Sequence, residues 1–184
     1  MARPLEFDRC QAVEAAKAVF HRAGYEAASV DDLTQALGIS RASLYNTFGD
    51  KRGLLLATLD SACDQGQKMR EDASGRRCGA KKVIRELFEK IAKPEAEGCY
   101  MLTLGAELST SDPEVQTRVQ KSLEQNRAMF AEILSKEGRF KPKQIEEKSA
   151  VLLGAMVSIL TLTRVHPDRK LLESVIEQAL LVLD

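Results

Sequence analysis

A chain of 184 residues has room for one small module beside a larger core. With 44% apolar and 29% charged residues spread along its length, the composition excludes a disordered or fibrous polypeptide. The 27 Lys and Arg balance 27 Asp and Glu, so no global field points to nucleic acid, and any DNA-binding face must be built by local placement of charge.

The opening run Met1 to Glu6 carries an acidic residue and no apolar stretch, which is unlike a secretory leader. The uncharged run from Ser149 to Thr163 falls short of the roughly 20 residues needed to cross a bilayer and reads as a buried helix. The expectation is a cytoplasmic protein with no membrane partner. Cys10, Cys63, Cys78 and Cys99 are widely spaced without a Cys-x-x-Cys pair, and His21 and His166 are the only imidazoles. That set predicts free thiols, no metal site and no cofactor.

Helical periodicity dominates and no run alternates long enough to make a strand, so the fold class is all-α. A first helix is predicted from about Asp8 to Arg22, with Val13, Ala16, Phe20 and Ala23 on its buried stripe and Gly24 as its stop. Ser29 is placed to cap a second helix whose first turn holds Asp31 and Asp32, with Val30, Leu33 and Leu37 facing inward. Gly38 supplies a turn, Ser40 a second cap, and a short third helix runs to about Phe48, broken by Gly49 or Asp50. This is a tight helix-turn-helix. A longer fourth helix follows with Leu54, Leu55 and Leu59 inside, then a loop over Asp72 to Ala80.

Helicity resumes near Lys81 with Val83, Ile84, Leu87, Phe88 and Ile91 as the stripe, closed by Pro94 and a loop over Glu95 to Gly98. Cys99 to Leu108 is a largely apolar helix. Ser111 to Glu114 has the form of a capping box that starts a long helix to about Glu137. Two helices with broad apolar faces, Gln144 to Arg164 and Asp168 to Leu183, complete the chain; on physics alone those faces suit a core or an interface equally. The predicted organisation is a three-helix module over residues 1–52 and a helical bundle over 53–184.

The run from Ser29 to Lys51, with its Gly38 turn, Ser40 cap, Leu44-Tyr45-x-x-Phe48 helix and following Lys51, resembles the DNA-binding domain of the TetR family of transcriptional regulators. Gly24-Tyr25 upstream and Leu54-Leu55 downstream fit the same pattern, so the likeness covers about residues 8 to 59. It implies that the third helix enters the major groove, where base edges carry a distinguishing pattern of donors and acceptors. Arg41, Ala42, Ser43 and Asn46 then face the bases. Tyr45 and Lys51 meet phosphates, Ser29, Thr34 and Ser40 add hydroxyl or helix-end contacts, and Leu44 and Phe48 stay buried.

The resemblance further implies a two-fold homodimer through the last two helices and a short palindromic operator of double-stranded DNA. It also implies an effector pocket among the middle helices, of unknown ligand, for which Met101, Leu104, Leu108, Met129, Phe130 and Met156 are candidates. The competing reading of those six is plain core. Cys99, in Gly98-Cys99-Tyr100, sits where a branch of the family places a thiol that responds to electrophiles or oxidants, and a helix N-terminus can lower a thiol's pKa; the competing reading is a buried structural cysteine. The functional expectation is a repressor released by a small molecule or by thiol modification. The alternative is an adaptor that keeps the fold and acts through protein contacts. An enzyme is not expected, for want of a phosphate loop, metal spacing or nucleophile set.

Overall fold

In the computed structural model, which describes residues 7–93 and 98–184, all regular structure is helical and no strand is present among the described residues. The helices are α1 (Arg9–Ala23), α2 (Val30–Leu37), α3 (Arg41–Phe48), α4 (Lys51–Gly75), α5 (Ala80–Ile91), α6 (Tyr100–Leu108), α7 (Pro113–Ser135), α8 (Pro142–Val165) and α9 (Arg169–Leu180), with a 3₁₀ turn at Leu181–Leu183. The readings made of Met1 to Glu6, and of Pro94 and the start of the loop after it, lie outside the described residues. By backbone contacts the chain divides into two compact units. One takes in the residues up to Gln65 together with Thr103–Val119, the other Gly66–Leu102 together with Gln120–Asp184.

The first unit is organised by caps. Asp8 accepts the amide of Cys10 at 2.8 Å and starts α1, which buries Val13, Ala16, Val19 and Phe20. Ala23, expected on that stripe, is exposed as the last residue before the chain turns at Gly24, and Val19 is buried in addition. Asp50 caps α4 by accepting the Gly53 amide at 2.6 Å, and α4 then buries Leu54, Leu55 and Leu59. At the start of α7 the expected cap is corrected. Pro113 occupies the first helical position, so the residue before it is the cap: Asp112 accepts the amides of Glu114 and Val115 at 3.0 and 3.3 Å. Ser111 turns back onto the carbonyl of Leu108 instead.

The second unit buries one continuous cluster. Ile84 and Phe88 of α5, Phe130 and Leu134 of α7, Leu152 and Ile159 of α8, and Leu172 and Ile176 of α9 all belong to it. Each such side chain is worth about 1.5–3 kcal/mol of transfer free energy. Phe88 and Phe130 meet edge to face with ring centroids 5.9 Å apart. The loop expected from Asp72 begins only after Gly75, because Ala73 is part of this cluster and Lys136 caps the carbonyl of Ser74, which together hold the last turn of α4 in helix. Gly79 offers α5 no side-chain cap, and Glu137 supplies one from a distance by accepting the Ala80 amide at 2.7 Å.

Helix α8 alone among the described residues is long and apolar enough, by length and composition, to cross a membrane, yet only 33% of its most apolar window is buried within the fold. Its outer side carries Ala150, Val151, Gly154 and Ser158, and α9 adds exposed Leu171; Leu181 of the terminal turn is exposed as well.

Candidate nucleic-acid interface

Ser29 and Asp32 cap each other's backbone reciprocally. The Asp32 amide donates to Ser29 Oγ at 3.0 Å and the Ser29 amide to Asp32 Oδ2 at 3.0 Å. That fixes the entry of α2. Its exit is fixed by Gly38, whose left-handed backbone (φ 65°, ψ 28°) would cost a side-chain-bearing residue free energy. The Ile39 amide closes the turn on Thr34 O at 3.2 Å. Two residues on, Ser40 Oγ accepts the Ser43 amide at 3.1 Å and α3 begins.

The register of α3 then divides its side chains. Leu44 and Phe48, one turn apart, are buried. Arg41, Ala42, Tyr45 and Asn46 share the outer side, Tyr45 being 45% exposed, and Ser43 is half-buried at the margin. An exposed aromatic beside an arginine and an asparagine on one face of a rigid two-turn helix has the chemistry of groove reading. The Arg41 guanidinium lies against Asp31 of α2. Nε and Nη2 donate to Asp31 Oδ1 at 2.9 and 2.7 Å, and Nη2 also to Oδ2 at 2.7 Å. The hydrogen bonds to Asp31 push the already high pKa of Arg41 further up.

Residues 12–58 match the family model of bacterial regulatory proteins of the tetR family. The uncharacterised HTH-type transcriptional regulator YezE of Bacillus subtilis (strain 168) is 29% identical over 197 residues, spanning the whole of both chains. The HTH-type transcriptional repressor BdcR of Escherichia coli (strain K12) is 47% identical over 58 residues, 32% of this chain and 29% of that one. Among solved structures, a cysteine-substituted form of the TetR-family regulator CifR, complexed with 26-bp double-strand operator DNA, superposes with a TM-score of 0.81 at 26% identity, covering 97% of this chain and 98% of that one. Residues 12–58 thus carry the DNA-binding domain of the tetR family of bacterial regulatory proteins.

In this tetR-type domain the remaining residues singled out from sequence are placed as follows. The hydroxyls of Ser29 and Ser40 are engaged in caps, and Thr34 Oγ1 donates to Asp31 O at 3.1 Å. What this part of the surface offers a phosphate is therefore chiefly the amides at the helix N-termini. Lys51 stands 4.4 Å over the ring of Tyr25 and donates to Glu26 O at 3.4 Å, which holds its ammonium beside the helix-turn-helix.

Sequence reasoning missed the set of carboxylates and cations that ties Thr103–Val119 to the helix-turn-helix within the first unit. Glu107 accepts the backbone amides of Tyr25 and Glu26 at 2.9 and 2.8 Å, in the turn between α1 and α2. It comes so close to Gly24 that a Cβ there would lie 2.9 Å from Glu107 Oε2. Arg52, at the start of α4, donates to both oxygens of Asp112 at 2.8 and 3.1 Å and to Glu114 at 3.0 Å. Arg118 reaches Asp60 at 2.8 Å. Periodicity could not show these links because their partners lie dozens of residues apart.

The Arg52 guanidinium pulls the Asp112 carboxyl down to about 2. A depressed carboxylate contributes stability that is complete above its unfolded value of 3.8 and is lost as pH falls through the folded one. The stability difference between the wild type and Asp112→Asn, read by urea unfolding, should therefore be constant from pH 7 to about 5 and shrink steeply between pH 4 and 2. A difference that does not change with acid would contradict the pair.

The six candidate effector contacts are all buried. Met129, Phe130 and Met156 share the core cluster of the second unit, whereas Leu104 and Leu108 belong to the first unit and Met101 is outside that cluster. A groove of about 700 Å³ in the second unit, lined by Glu89, Ala92, Lys93, Pro167, Arg169 and Leu172 among others, includes none of them.

Cys99 precedes α6 as expected, but burial pushes its thiol pKa up, against the opposing pull of the backbone at Leu102 and Met101. The lowered pKa expected of a helix N-terminus is therefore absent in this conformation. Gly98 before it has a packing reason of its own. At φ +81° it lies against α8, where a Cβ would sit 2.9 Å from Arg164 Cβ and 3.0 Å from Leu160 O.

Proposed function

We propose that the chain is a repressor that binds a short palindromic operator as a two-fold dimer, reads it with α3, and releases it when an effector or a thiol reagent acts on the second unit. The observation that carries the reading is the division of α3: Leu44 and Phe48 anchor the helix while Arg41, Ala42, Tyr45 and Asn46 stand clear of the fold on one side. The operator complex of CifR supports the groove assignment by similarity. Under this reading Lys51, Tyr45 and the amides at the starts of α2 and α3 hold phosphates and set register, and Arg41 and Asn46 carry base preference. The protein acts in the cytoplasm, with the DNA.

In this reading the dimer forms through the outer side of α8 and α9. Val151, Leu171 and Leu181 are 52%, 39% and 56% exposed there, and a Cβ at Gly154 would meet nothing beyond its own stretch of helix within 4 Å among the described residues. Ala150, Gly154 and Ser158 recur at four-residue spacing on α8 and would let a second copy of the helix approach closely. Effector binding is placed near Met129, Phe130 and Met156. Release follows if the effector prefers an arrangement with badly spaced recognition helices, the loss of operator affinity being the effector's differential affinity for the two states. For Cys99, modification proceeds through a small thiolate fraction or after a local opening, so a reagent that acts there is slow unless the region moves.

Titration of the purified chain onto the intergenic duplex beside its own gene, across a salt series, tests the reading. Nanomolar binding that weakens steeply with salt is expected, with Arg41→Ala costing about 1–3 kcal/mol and Tyr45→Phe about 1 kcal/mol. Affinity no greater than for random duplex, and indifferent to both substitutions, would favour the adaptor.

A further inference from the structure

The dipole of α2 favours a carboxylate at Asp31, but an approaching DNA backbone does not. Asp31 lies in the first turn of α2, beside the start of the recognition helix, on a surface that must approach a polyanion. Asp31 and Arg41 are 71% and 60% exposed, and ion pairs of that exposure add little to folding stability. Fold stability therefore does not account for the pairing, and its geometry suggests what does.

A guanidinium has a side edge, made by Nε and one terminal nitrogen, and an end edge, made by the two terminal nitrogens. Asp31 occupies the side edge through Nε and Nη2, while Nη1 has no partner among the described residues. Both carboxylate oxygens lie 2.7 Å from Nη2, within reach of one shared proton, so the carboxylate fixes the plane of the guanidinium and leaves the end edge, Nη1 with the other Nη2 proton. Two parallel donors on a rigid plane match the paired acceptors O6 and N7 that guanine alone presents in the major groove.

We infer that Asp31 is a specificity-determining positioning residue: it holds Arg41 by its side edge so that the end edge reads a guanine in each operator half-site. It also biases the protein against wrong sites. Where no guanine meets the fork, Asp31 repels backbone phosphate and keeps Arg41 from settling on one, so nonspecific binding is weakened while specific binding is not. This inference rests on the DNA-binding reading above.

The test is selection and sequencing from a duplex library with randomised positions, using the full-length wild type, Asp31→Asn, Asp31→Ala, Asp31→Glu and Arg41→Ala. Titration of each protein onto a random-sequence duplex accompanies it. The wild type is expected to enrich a two-fold motif with one guanine per half-site whose preference disappears in Arg41→Ala. Asp31→Asn and Asp31→Ala should lower discrimination at that guanine by roughly fivefold or more, leave the other half-site positions as they were, and tighten random-duplex binding about two- to threefold. Asp31→Glu, which keeps the charge on a longer arm, should recover part of the preference.

A merely structural role for Asp31 would weaken every position together, and that outcome overturns the inference. So does an unchanged guanine preference, or an equal gain in affinity for all sequences, which would make Asp31 a simple competitor for Arg41. A wild type that enriches no motif defeats the DNA-binding reading itself, and the inference falls with it.

Discussion

Phe130→Ala is expected to destabilise the protein by about 3–5 kcal/mol, measured by urea unfolding with little change in the denaturant slope. Phe130 is 0% exposed, meets Phe88 edge to face, and lies in the cluster that joins α5, α7, α8 and α9. Removing the ring takes away its transfer free energy, one aromatic pair and the packing of its neighbours, while the helices around it cannot all close the gap. The result also bears on regulation, because Phe130 is a candidate wall of an effector site. A loss under about 1 kcal/mol would mean that the ring borders open space rather than filling the core.

Glu107→Ala is expected to cost about 2–3 kcal/mol and to loosen the turn between α1 and α2. One carboxylate accepts both the Tyr25 and the Glu26 amide. Such charge-assisted bonds are roughly twice as strong as neutral ones, and deleting the acceptor leaves the part-buried Tyr25 donor unsatisfied. Hydrogen exchange at these two amides reads the effect directly: slow in the wild type, fast in Glu107→Ala, intermediate in Glu107→Gln, which retains one acceptor oxygen. Equal exchange rates in all three proteins would show that the contact contributes nothing to the turn.

The turn matters because α1 packs on α2 and α2 on α3, so its geometry sets the platform on which Arg41 and Tyr45 stand. The second half of the unit, Thr103–Val119, reaches this platform through Glu107 and through the Arg52 grip on Asp112 and Glu114.

The local grammar of the chain was readable in advance where short-range physics decides. The Ser29 and Ser40 caps, the Gly38 turn, the burial of Leu44 and Phe48, and the stripe of α5 all follow from spacing within one or two turns. Misreadings occurred where a distant or neighbouring group outweighed local composition. Ser74 and Gly75 look like loop residues, but Ala73 is held in the core and Lys136 caps the helix end. Ser111 looks like a cap, but Pro113 passes that role to Asp112.

The candidate interface was legible as a set of exposed residues on α3. The orientation of Arg41 was not, because it depends on a carboxylate ten positions back across a turn. The six effector candidates came from the family resemblance, with plain core as the competing reading, and all six are buried. The sensor reading of Cys99 rests on the Gly98-Cys99 resemblance and on helix-end electrostatics, and burial, the competing reading, pushes its thiol pKa up instead.

The most direct measurement of the central claim is hydroxyl-radical footprinting of the full chain on the intergenic duplex beside its own gene, in excess random competitor. Recognition by two copies of α3 predicts two protected blocks on one face of the duplex, separated by one helical turn of about 34 Å, that persist in competitor and are lost in Arg41→Ala. Diffuse protection that competitor removes, or none at all, would contradict it.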